Sequence, residues 1–210
     1  MRRIECFHSA SPTLPDRAAE QVSAWQQDRK EWRGQQPVTA ALAEPLEIVA
    51  LNTPWLTTAT TDGRRIAFNP AWSAGLEALE RRQMQEHLVW HAAAADYRTN
   101  GSKEPYRWHL ACDHAINAQL LQLGAELPHD AVLFPRAVMW RRSEVYAWLS
   151  QHPWLEMEKP RGQLYGQPAS CGEMSALEAQ WQQQITSTVQ RFLGTPWLPD
   201  TVAAWLLGRR

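Results

Sequence analysis

Glu86-His87-Leu88-Val89-Trp90-His91-Ala92-Ala93-Ala94-Ala95 is the stretch on which the fold turns, and its composition reads as helix. His87 and His91 are four residues apart, so on a helix of about 3.6 residues per turn they stand one above the other on the same face and can share one metal ion. The pair is half of a candidate metal site. A second segment, Arg107 to Leu123, also reads as helix, with Leu110, Ile116, Leu120 and Leu121 at overlapping helical positions, Asp113 inside it and Gly124 as its stop.

In zinc peptidases with the pattern H-E-x-x-H, the residue after the first histidine is the glutamate that accepts a proton from the attacking water. Here that residue is Leu88, which can do no proton chemistry. Glu86 lies about 100° around the helix from His87 and on the opposite side from position 88, so its carboxylate points away from where a base is needed.

The chain has 210 residues, 44% of them hydrophobic, with 21 basic and 22 acidic side chains and a formal charge of −1. This is enough for a sizeable core and gives no net field to draw nucleic acid or an anionic membrane. No signal-peptide pattern and no run of about 20 apolar residues is present, so a cytoplasmic protein with neither membrane nor nucleic-acid partners is expected. Cys6, Cys112 and Cys171 are odd in number and lack C-x-x-C spacing, which predicts reduced thiols. Twelve tryptophans serve either core packing or contact with a partner, with the core favoured.

Around the two central helices, Asp16 to Arg33 predicts an amphipathic helix. Pro37 to Leu51 predicts a short helix running into the core. The β-forming Trp55–Thr61, the Asp62-Gly63 turn and Arg64–Asn69 predict a hairpin. Ser143 to Leu149 predicts a helix with Ser143 as N-cap, Gln151 to Gly172 an irregular excursion, and Glu173–Phe192 and Thr201–Leu207 two final helices. The expected organisation is an N-terminal helical segment (1–36), a central domain (37–150) and a C-terminal part (151–210) packing on it.

Five motifs in order carry a resemblance: Thr58-Ala59-Thr60-Thr61-Asp62-Gly63-Arg64 through Phe68-Asn69-Pro70; the His87…His91 helix; Trp108-His109-Leu110-Ala111-Cys112-Asp113-His114-Ala115-Ile116-Asn117; Gly124-Ala125-Glu126-Leu127-Pro128; and Ser143-Glu144-Val145-Tyr146. Together, over roughly residues 38–150, they resemble the putative metallopeptidase domain that precedes a von Willebrand A-like domain in a bacterial family. The resemblance implies an α+β, zincin-like fold, helix-rich, with a small sheet built on the hairpin. It implies His87, His91 and Asp113 as metal ligands, suited to Zn²⁺ with a fourth position left for water, and Asn117 as a supporting partner one turn on. His109, four residues before Asp113 and on its face, is an alternative ligand or a donor to its carboxylate.

In zincin-like folds an edge strand beside the metal helix lines the substrate cleft, and here the hairpin would supply it. Relatives beside MoxR-type AAA ATPases imply a multi-protein assembly. Two departures from the family's pattern are Leu88 and the expected lack of the C-terminal von Willebrand A-like domain; position 96, where relatives tend to carry histidine, is Asp96.

Three functions follow as expectations. The first is a metal-binding but catalytically impaired pseudo-peptidase that binds a peptide or protein partner. The second is an active zinc-dependent hydrolase using another carboxylate, Glu86, Asp96 or Glu144. The third is a metal-free interaction module in which His87 and His91 are ordinary core histidines and Asp113 pairs with Arg98 or Arg107. His114, 100° around from Asp113, is read as a non-ligand, and Cys112 as a small buried apolar group.

Overall fold

A computed structural model describes residues 14–98, 103–152, 158–164 and 171–208. The element order is α1 (Leu14–Gln35), α2 (Pro37–Ala43), β1 (Glu47–Ala50), β2 (Ala59–Thr61), β3 (Arg65–Phe68), α3 (Pro70–Ser73), α4 (Ala78–Ala93), α5 (Pro105–Gln122), α6 (Arg142–Ser150), β4 (Gln163–Leu164), α7 (Cys171–Phe192) and α8 (Asp200–Leu207). The architecture is α+β, as expected: many helices around a four-stranded mixed sheet of order β1-β3-β2-β4. No described helix is long and apolar enough to cross a membrane. Cys6 lies outside the described residues, and Cys112 is a buried free thiol.

The hairpin forms where the sequence places it. β2 and β3 pair antiparallel, with Thr60 opposite Ala67, although Trp55–Thr58 precede the strand instead of extending it. Gly63 takes a φ of +80° in the turn, a conformation only glycine adopts freely. A Cβ there would stand 2.4 Å from the Tyr97 ring, while the Gly63 carbonyl accepts a 2.7 Å hydrogen bond from Trp181 Nε1.

Two local expectations are corrected. The Pro37–Leu51 segment is helical only to Ala43; Glu47–Ala50 is instead β1, parallel to β3 with Ile48 opposite Ile66. A four-residue apolar run has no period long enough to separate helix from strand, and pairing with β3 decides it. The N-cap of α6 is Arg141, not Ser143, and the Arg141 amide donates to Glu144 Oε2 at 2.7 Å. The excursion from Gln151 contains one short ordered strand: β4 pairs parallel with β2, Gln163 opposite Thr60. Gln163 fastens it, its Oε1 accepting from the Thr57 amide at 2.9 Å and its Nε2 donating to the Trp55 carbonyl at 3.0 Å. The edge of β2 expected to line a peptide cleft is thus covered by the chain itself.

Helix α4 runs through the centre. Every residue from Met84 to Ala93 is buried, which explains why its sequence shows no polar face. The main core gathers Trp25 and Trp32 of α1, Leu42 of α2, Phe68 of β3, Val89 and Trp90 of α4, Ile185 of α7 and Leu206 of α8. A second core of Leu110, Val132, Phe134, Val145 and Leu149 lies on the other flank of α5, so α5 is buried on both sides from His109 to Leu120.

Trp25 stacks on Phe68 with centroids 4.5 Å apart, and two buried indoles find acceptors: Trp25 Nε1 donates to Ser73 Oγ at 2.8 Å and Trp90 Nε1 to Thr39 Oγ1 at 3.1 Å. Trp55 and Trp197 are exposed, so the tryptophans divide between core and surface.

Gly63→Ala is expected to destabilise the protein by about 2–4 kcal/mol, combining the left-handed backbone cost with overpacking against Tyr97. A lowered urea midpoint at unchanged slope checks this.

Candidate metal centre

Because α4 and α5 are buried along their middles, every polar side chain there must find a partner inside the protein. Their facing sides bring His87, His91 and Asp113 together: one ligand atom from each lies within 4.8 Å of the other two, all buried. His87 Nε2 and His91 Nε2 are 2.9 Å apart, and Asp113 Oδ1 is 3.5 Å from the first and 3.2 Å from the second.

The outer nitrogens fix the tautomers. Asn117 Nδ2 donates to the Val132 carbonyl at 3.0 Å, which leaves Asn117 Oδ1 facing His87 Nδ1 at 3.2 Å. That oxygen can only accept, so His87 Nδ1 carries the proton and Nε2 is bare. On His91, Nδ1 faces Asp96 Oδ2 at 2.9 Å, and a carboxylate again accepts, so Nδ1 donates and Nε2 is the nitrogen turned toward His87 and Asp113. Asn117 therefore links the His87 ring to the Val132 carbonyl.

The part played by Asp96 was not anticipated in the sequence. It comes from the end of α4: Ala95 adopts φ +58°, its amide bonds Ala92 O, and the Asp96 amide bonds His91 O at 3.1 Å. This is a Schellman termination with alanine where glycine is usual. The turn folds Asp96 back under His91, and its second oxygen pairs with Arg142, which also donates to the Ala94 carbonyl. A non-glycine residue in the left-handed region costs roughly 1–2 kcal/mol, strain of the kind that collects at functional sites. The only sequence signals were an acidic residue just past the helix and an arginine 46 positions later.

Among the described residues no Lys or Arg side chain pairs with Asp113; Arg98 pairs with Glu178. Its Oδ2 accepts the backbone N–H of Arg161 at 2.7 Å, and its Oδ1 faces imidazoles. Burial opposes its charge, but the imidazoles of His109 and His87 outweigh that and hold the carboxyl well below the usual carboxylate range. Burial pushes the His87 imidazole down from its ordinary value, with Asp113 pulling the other way.

Two imidazole nitrogens and a carboxylate oxygen thus converge in the buried interior. Such an arrangement fits a divalent cation: two neutral imidazoles and one carboxylate are the donors that a Zn²⁺-type ion takes.

Of the other residues considered, His109 Nε2 lies 3.2 Å from Asp113 Oδ1. His114 faces away, its Nε2 donating to the Ala137 carbonyl at 2.9 Å and its Nδ1 accepting from the Phe134 amide. Glu144 is an exposed helix cap. Glu86 lines a cavity of about 380 Å³ with Arg82, Trp32 and Ala125, remote from the cluster. Leu88 is buried, and Gly162, next to β4, packs on it: a Cβ at Gly162 would stand 3.5 Å from Leu88 Cδ2 and 3.0 Å from the Ala59 carbonyl.

Against this geometry, the sequence model of one family, described as "Putative metallopeptidase domain", matches residues 22–193. The chain belongs to that family. The match takes in α4, α5, the hairpin and β4, and so every residue of the cluster. No curated protein and no solved structure is similar enough to count as a match. The matched region carries the His87, His91 and Asp113 cluster, which could hold a metal ion.

Asp96→Ala and Asn117→Ala, which free the rings of His91 and His87, are each expected to weaken metal affinity by about 10–100-fold, measured by competition with a chelating dye. Burial, partly offset by Arg82, raises the Glu86 carboxyl from 4.5 to about 7. A raised folded-state value means stability is full below about pH 4.5 and is lost as pH rises through about 7. Glu86→Gln is therefore expected to leave stability unchanged near pH 4.5 and to increase it at pH 8 by about 1–3 kcal/mol, read from urea unfolding at the two pH values.

Proposed function

We propose that this chain is a metal-binding, catalytically impaired member of its family, and that its output is the binding of a peptide or protein partner. The observation that carries the reading is the pairing of an intact ligand cluster with an apolar residue at the base position. Leu88 is 1% exposed and sealed by Gly162.

His87, His91 and Asp113 would hold the ion, with zinc the best match to two imidazoles and one carboxylate. When bound, such an ion supplies Lewis-acid polarisation of a carbonyl or of water. The chain's own residues do the remainder: Asn117 and Asp96 hold the two rings with Nε2 inward, and the Arg161 amide occupies the second oxygen of Asp113.

What a peptidase also needs is a group to accept a proton, a contribution typically worth about 10²–10⁴-fold. The three carboxylates that were candidates for it are otherwise engaged. Asp96 is bound to His91 and Arg142, Glu144 caps α6, and Glu86 faces another cavity. A peptide adding to β2 would also have to displace β4. Exposed Trp197 and Met139 are apolar surface that a partner would cover. An assembly with a MoxR-type AAA ATPase, in the bacterial cytoplasm, is the partner system this reading favours.

Purified without added metal or a histidine tag, the protein is expected to carry about one zinc per chain by elemental analysis, and His87→Ala to carry none. Wild type and His87→Ala should hydrolyse an unstructured protein substrate at the same background rate. Metal-dependent hydrolysis in wild type that His87→Ala abolishes would overturn the impairment, and a metal-free wild type that takes up no added zinc would overturn the metal site.

A further inference from the structure

His109 stands one turn before Asp113 on α5, its side chain 90% buried, and its Nε2 is a buried polar atom with no hydrogen-bond partner. Buried imidazole nitrogens are normally satisfied, and one left bare beside three metal-type donors calls for a reason. Its nearest charged atom is Asp113 Oδ1, at 3.2 Å. That one oxygen therefore has three imidazole Nε2 atoms around it, those of His91 at 3.2 Å, His109 at 3.2 Å and His87 at 3.5 Å.

With ligand bonds of about 2.0–2.1 Å, the edge of a coordination tetrahedron is about 3.3 Å. The three separations from Asp113 Oδ1 and His87–His91 at 2.9 Å account for four of the six edges, while the His109 ring, its centroid 6.0 Å from that of His91, stands outside the set of atoms mutually within 4.8 Å and has to turn toward the two histidines to close the other two. We infer that His109 is the fourth protein ligand, giving a closed site of three imidazoles and one carboxylate with no position left for water or substrate. The inference rests on the metal-binding reading above and deepens it, since a filled coordination sphere disables catalysis independently of Leu88.

The surroundings agree. The second oxygen of Asp113 is taken by the Arg161 amide, so the carboxylate offers one atom. On the Leu88 side the space is filled by Gly162 and Met84 rather than by a polar channel. Structural zinc sites are closed by four protein ligands, whereas catalytic sites keep one position open. The tight set of mutually close atoms comprises His87, His91 and Asp113, so His109 completes it by swinging its ring toward the two histidines.

The test uses the full chain stripped of metal and titrated with Co²⁺ alone, followed by visible absorption with and without azide, and by X-ray absorption at the metal edge of the zinc-loaded protein. The expected results are a tetrahedral cobalt spectrum that azide leaves unchanged, and three imidazoles per zinc. In His109→Ala, azide should shift the cobalt spectrum because a position has been opened. The wild-type measurements stand even if that variant fails to fold. Two imidazoles per zinc, or an azide shift already present in wild type, would overturn the fourth ligand while leaving the metal site intact; no uptake of either ion would overturn both.

Discussion

Two imidazole nitrogens held 2.9 Å apart in the interior, each ring fixed by the hydrogen bond at its other nitrogen, are the constraint around which this molecule is organised. Nitrogens this close repel unless a proton or a cation lies between them, and among the described residues no lysine or arginine side chain pairs with the buried carboxylate beside them. In a low-dielectric interior such groups cost several kcal/mol unless a cation joins them. The helices bearing them are central in the fold, α4 within the main core and α5 between the two cores. Packing energy from the tryptophans and aliphatic residues thus holds the donors at separations they would not choose alone.

The supporting pieces are local and each has a physical cause. A left-handed Ala95 ends α4 so that Asp96 reaches back to His91, and Asn117, held by the Val132 carbonyl, can present only its oxygen to His87. β4 brings the Arg161 amide to Asp113 and seats Gly162 over Leu88. The polar side of the centre is thus held by hydrogen bonds on every outer atom, while Leu88 on the neighbouring position of α4 is packed by the chain's own apolar and backbone atoms.

Much of this was legible in the sequence because it depends on helical periodicity. The i, i+4 spacing of His87 and His91, the placement of Asp113 and Asn117 one turn apart, and the outward direction of Glu86 all follow from about 100° per residue. The Asp62-Gly63 turn carried its own signature and forms as a hairpin. What was not legible depends on tertiary pairing. β1 is a four-residue run that only its neighbour β3 makes a strand, and β4 is two residues whose pairing with β2 spans a hundred positions of chain. Asp96 looked like a departure from a histidine position, because nothing in a sequence announces a left-handed alanine. The burial of His109 beside Asp113 likewise depends on both cores closing around α5.

The most direct measurement is anomalous diffraction at the zinc edge from crystals of the protein purified without added metal. A single strong peak about 2.0–2.2 Å from His87 Nε2, His91 Nε2 and one oxygen of Asp113 is the expected result. Well-ordered crystals with no peak there, and with His87 and His91 bridged by a water or a shared proton, would contradict the claim that a metal ion holds this cluster together.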